Sequence, residues 1–142
     1  MICIGNEARG DDGVACEVAR RLDGLPALRV LSAPQLDVAM AAEIASANRV
    51  TFVDAERRGA PPVERREVLP APFLAGPTTH TLDPAGLLAL AEALYGRAPA
   101  AEILTLAAPE MEHAEGLSPV AALAAAMAEA MLPRGAGRLE EG

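Results

Sequence analysis

Apolar runs and amphipathic stretches alternate along the whole chain, with turn residues between them. A short apolar run at 2–5 reads as a first strand, and a helical pattern over 12–22 ends at Asp23-Gly24 and Pro26. A second strand is expected at 28–31. A helix over 36–46 places Leu36, Met40 and Ile44 on one face at i, i+4 and i+8. The run Val50-Thr51-Phe52-Val53 is uninterrupted and β-rich until Asp54 ends it, which predicts a central strand covered on both faces. By contrast, 63–69 carries Glu64, Arg65, Arg66 and Glu67, which suits an edge strand whose charges block further pairing. Asp83-Pro84 opens a helix that Gly96 stops after Tyr95. A fifth strand follows at 102–106, and Ser118-Pro119 opens a last, Ala-rich helix to Met131. This order predicts an α/β fold: a twisted, mostly parallel sheet of about five strands between two helical layers, a three-layer sandwich. Residues 1–132 form a single domain, and 133–142 read as a flexible tail.

Composition narrows the classes of function. The chain is 51% hydrophobic but only 2% aromatic, so its core must be built from Ala, Leu and Val. No apolar run approaches the ~20 residues that cross a bilayer, and acids and Arg9 interrupt the first ten residues. No membrane contact and a cytoplasmic location are therefore expected. The net charge of -8 argues against a nucleic-acid partner. All 12 basic residues are Arg, and the absence of Lys removes Schiff-base, Walker and kinase lysine chemistry together. Cys3 and Cys16 form no CxxC pair and are expected to be small buried hydrophobes.

The candidate chemistry begins in the turn Gly5-Asn6-Glu7-Ala8-Arg9-Gly10-Asp11-Asp12-Gly13-Val14. Its glycine spacing is that of a phosphate cradle, but Asp11 and Asp12 stand where a phosphate loop needs Lys and Ser/Thr. Carboxylates repel phosphate and attract cations. In an open α/β sheet, ligands bind beyond the carboxyl ends of the strands, where Asp12, Asp54 and His80 all fall. Two carboxylates and an imidazole can hold a borderline transition metal with positions left open. Each also has a plain structural alternative. Asp11 or Asp12 equally fits as a helix cap, Asp54 as an acceptor for the next turn, and His80 as an ordinary loop histidine. His113, in an acidic loop, reads as solvated. Ser32, Ser46 and Ser118 lie outside any nucleophile-elbow pattern, and Ser118 reads as a cap.

The ordered blocks resemble the NiFe-hydrogenase maturation proteases. They are Ile4-Gly5-Asn6 with Arg9-Gly10-Asp11-Asp12-Gly13-Val14, then residues 48–55, His80-Thr81-Leu82-Asp83-Pro84, residues 94–99, and Glu115-Gly116-Leu117-Ser118-Pro119. The resemblance implies an endopeptidase that removes a C-terminal extension from the hydrogenase large-subunit precursor after nickel insertion. It implies that Asp12, Asp54 and His80 are the catalytic and metal-recognising residues. The metal would be nickel carried by the precursor, with no organic cofactor. The large-subunit precursor is then the expected partner of a monomeric protein. Cys3 stands where the family usually has glycine, Asp12 where it often has Glu, and the first strand starts at Met1, shorter than usual. That short strand suggests either a trimmed strand or a true start upstream. The competing expectation is a non-catalytic metal-binding or chaperone-like protein of the same fold, and a third is another metal-dependent hydrolase.

Overall fold

The computed structural model describes residues 1–5, 7–26, 28–72, 82–110 and 116–132, and the side chains of 7–9 are outside that description. Strands β1 (Ile2–Ile4), β2 (Leu31–Ala33), β3 (Arg49–Glu56), β4 (Val63–Val68) and β5 (Ala100–Ala107) form one sheet in the order β2-β1-β3-β5-β4. The first four neighbours run parallel, and β4 pairs antiparallel with β5 at the edge. The expected α/β sheet, its central third strand and its charged edge strand are all present.

Side-chain alternation along the strands builds two cores. Cys3, Val53 and Leu104 face helices α1 (Val14–Leu22) and α4 (Pro119–Met131). Ile2, Phe52 and Ile103 face α2 (Met40–Ala45) and α3 (Pro84–Tyr95). The near-absence of aromatics is met by close approach. Ala121, Ala124, Ala125 and Ala128 form one buried stripe on α4, letting its backbone lie near α1 and the sheet. Asp83 accepts a hydrogen bond from the Gly86 amide at 2.7 Å, and Ser118 one from the Ala121 amide at 3.2 Å. Both caps were legible as Asp-Pro and Ser-Pro pairs.

Several boundaries differ from expectation; β5, for one, is longer at both ends, Ala100–Ala107 rather than 102–106, because it pairs along its length with β3. β2 lies at Leu31–Ala33 rather than 28–31, because pairing with β1 sets Ile2 against Leu31 and lets the Ala33 carbonyl accept from the Gly5 amide. Leu28 and Val30 pack against the core without joining the sheet's regular pairing. Helix α2 begins at Met40, not Leu36. Asp37 instead accepts from the Ala39 amide at 2.7 Å and closes a side-chain turn that competes with helix. The first helical region splits into a 3-10 turn, Glu7–Gly13, followed by α1. β3 extends to Glu56, so Asp54 sits two residues inside the strand. Among the described residues, no helix is long and apolar enough to cross a membrane. The 133–142 tail lies outside the described residues.

Candidate functional site

The carboxyl ends of β1 and β3 lie side by side, with Ile4 opposite Asp54 and Asp54 opposite Thr105. Beyond Ile4 the chain turns at Gly5 and folds back through the 3-10 turn. The return is tight: a Cβ on Gly5 would sit 2.2 Å from the Asp12 carbonyl oxygen. Only glycine leaves room for that approach. Gly10, at φ 57°, supplies the left-handed residue within the turn.

The two adjacent acids take opposite roles. Asp11 is fully buried. Its backbone amide donates to the Glu110 carbonyl at 2.8 Å. Its Oδ1 accepts from the Ser118 amide at 2.7 Å, and its Oδ2 from the Glu110 amide at 2.8 Å and the Ser118 hydroxyl at 2.6 Å. Asp11 is therefore not the helix cap that spacing allowed. The residue before α1 is Gly13, with no side-chain cap. Asp12 is half-buried and makes no side-chain hydrogen bond to a described residue.

Asp54 is also half-buried, and its carboxyl is pushed up from the ordinary range to about 6. Burial is the main cause, and the carboxylates of Asp12 and Glu56 add repulsion. The Ala55 amide, donating to Oδ1 at 2.8 Å, opposes the rise only in part. The backbone-acceptor reading of Asp54 thus holds, but does not exhaust the residue. Glu56, two residues on, is paired with Arg58, which also donates to the carbonyls of Pro61 at 3.1 Å and Thr105 at 2.9 Å. Asp12 and Asp54 are left as neighbouring acids whose mutual repulsion a cation would relieve.

His80 and His113 lie outside the described residues. Among the described residues, no group of three metal-ligating side chains comes together. The described site is the pair Asp12 and Asp54. Cys3 is buried as expected, and burial raises its thiol to about 12, far from nucleophilic character at neutral pH. Cys16 departs from expectation. It is half-buried and lines a surface groove of about 310 Å³ with Ala19, Arg20, Asp23, Val30 and Ser32. The role of Asp11 was missed. No local signal could have found it, because its partners, Glu110 and Ser118, lie about a hundred residues away.

The raised Asp54 carboxyl makes a stability prediction. A folded-state value above the unfolded one favours folding while the group is protonated. That contribution is present below about pH 4 and lost as pH rises through about 6. Asp54→Asn keeps the acceptor for the Ala55 amide and removes the charge. The variant should match the wild type near pH 4 and exceed it above pH 7. A gain on the order of 1–2 kcal/mol is expected, less than the full shift would give because solvent partly screens the group. Melting curves at both pH values check this; an Asn variant less stable than wild type at pH 8 would contradict it.

Several solved structures share this architecture. The NiFe hydrogenase maturation protease HycI from Thermococcus kodakarensis KOD1 superposes with a TM-score of 0.65 at 24% identity, covering 92% of this chain and 86% of that one. An endopeptidase from Escherichia coli gives 0.68 at 18% identity, with coverages of 92% and 86%. The hydrogenase 2 maturation peptidase from Thaumarchaeota archaeon SCGC_AB-539-E09 gives 0.62 at 17% identity, covering 92% of both chains. The chain has the hydrogenase maturation protease fold. No family model and no curated protein matches its sequence. In each of these three structures the likeness covers 92% of this chain.

Proposed function

We propose that the protein is an endopeptidase that removes the C-terminal extension of a NiFe-hydrogenase large-subunit precursor after nickel insertion. The observation that carries this reading is the juxtaposition of Asp12 and Asp54 at the carboxyl edge of a sheet with this fold, with no hydrogen-bonded cation between them among the described residues. Asp12, Asp54 and His80 are proposed to receive nickel that arrives with the precursor, so the metal is part of the substrate. Two carboxylates and an imidazole suit a borderline metal with open positions. Bound there, the nickel would fix the scissile segment by proximity and supply Lewis-acid polarisation.

Cleavage is assigned to direct attack by water. The oxygen of water bonds to the scissile carbonyl carbon, the C–N bond breaks, and a proton given up by that water passes to the departing amine, leaving a carboxyl group on the new C-terminus. Ser118, Cys3 and lysine are disfavoured as sources of a covalent enzyme intermediate. Ser118 spends its hydroxyl hydrogen on Asp11 and its oxygen on the Ala121 amide. The Cys3 thiol is buried and raised, and the chain has no lysine.

Turnover tests the proposal. A sub-stoichiometric amount of the chain should convert nickel-loaded precursor to mature subunit, with no acyl-enzyme mass at any time. Stable binding of precursor without shortening would instead identify a non-catalytic chaperone-like protein.

A further inference from the structure

The turn that carries Asp12 is fixed from two sides, and only one of them is the Gly5 approach. The other is Asp11. Its buried carboxylate accepts three hydrogen bonds, and all come from residues 99 to 107 positions away. A fourth bond, from its amide to the Glu110 carbonyl, closes the same junction. The partners are Glu110, in the segment after β5, and Ser118, the N-cap of α4, so one side chain ties the turn after β1 to the cap of α4. Ser118 is the hinge of this junction. Its hydroxyl donates to Asp11 and accepts from the Ala121 amide, joining the turn to the cap of α4 in one unbroken line.

A buried carboxylate is a poor device for stability alone, because its desolvation offsets much of what its bonds return. It is a good device for geometry, since charge-assisted bonds to two backbone amides and a hydroxyl fix both of its oxygens. Asp12 is the next residue, and its side chain has no such anchor among the described residues. We infer that Asp11, acting with Ser118, is the positioning residue of this site: it holds the acidic turn against Glu110 and Ser118 so that Asp12 is presented opposite Asp54. The inference rests on the reading of Asp12 and Asp54 as the nickel-recognising pair. Asp11 itself touches neither substrate nor metal.

Asp11→Asn keeps the shape but replaces one acceptor oxygen by an NH2 group, which faces a backbone N–H that it cannot satisfy. A displacement of about 1 Å at a catalytic group costs roughly 10²-fold in rate. The Asn variant, assayed well below its melting temperature, should therefore lose roughly 10- to 100-fold in kcat on nickel-loaded precursor, with KM little changed. Ser118→Ala should fall between it and wild type. Ser118→Thr, which keeps both the hydroxyl and the cap, should restore activity. Hydrogen exchange gives a readout that needs no cleavage. In Asp11→Asn the amides of 10–14 should exchange at least about ten times faster while those of β3 keep their protection.

Wild-type kcat in folded Asp11→Asn would overturn the inference. So would a Ser118→Thr variant no better than Ser118→Ala, or exchange that rises equally in the turn and in β3. If wild-type protein does not cleave the precursor at all, the proposed function fails. The exchange experiment then decides the positioning role by itself.

Discussion

Asp12→Asn and Asp54→Asn should each reduce cleavage of nickel-loaded large-subunit precursor by at least about 10²-fold, with His80→Ala doing the same. Asp54 sits two residues inside β3 and Asp12 in the turn after β1, both half-buried and outside both hydrophobic cores. Their loss therefore removes charge from this edge of the sheet without opening a cavity in either core. Asp54→Asn is a sharp case because it is expected to be inactive and yet more stable than wild type above pH 7. A group kept for function at a cost in stability behaves this way. A gel-shift cleavage assay reads the first property, and circular dichroism with thermal melting the second. Retained cleavage in either aspartate variant would remove that residue from the site.

Gly5→Ala is expected to damage fold and function together. The new methyl would lie 2.2 Å from the Asp12 carbonyl oxygen, far inside contact distance, and the obstructing atom is backbone. Relief requires the whole turn to lift. That breaks the Gly5 amide bond to Ala33 or the Asp11 junction with Ser118. A loss of about 2–3 kcal/mol is expected, at the upper end for overpacking a close-fitted site. It would be read as a lowered urea midpoint, with cleavage lost even where the variant stays folded. A midpoint equal to wild type would show that the turn does not close on Gly5 as described.

Much of this architecture was legible because several local signals agreed. The apolar run at Val50-Thr51-Phe52-Val53 marked the central strand, and the charges of Glu64 to Glu67 marked the edge. The pairs Asp83-Pro84 and Ser118-Pro119 marked two helix starts to the residue. Of the misplaced elements, β2 was set by tertiary pairing and α2 by a local side-chain turn. β2 shifts because its register is dictated by β1 and the Gly5 turn. α2 loses its first turn because Asp37 satisfies backbone amides locally.

The candidate site divides in a similar way. Asp12 and Asp54 were picked out as candidates because ligands of an open α/β sheet bind beyond the carboxyl ends of its strands. Asp11 was not, because its partners lie about a hundred residues away and only the folded chain brings them to it. Nor did the pattern indicate that Cys16 would stay half-buried beside Ser32, since that depends on where β2 finally lies. His80, which completes the proposed set, lies outside the described residues.

The central claim is that the pair Asp12 and Asp54 reads nickel on the substrate. The most direct measurement compares nickel-loaded with nickel-free large-subunit precursor under identical conditions, following intact mass over time. Only the loaded precursor should lose its C-terminal segment, in one hydrolytic step, and Asp12→Asn should leave both forms at full length. Equal shortening of the two forms by the wild-type protein would contradict the claim.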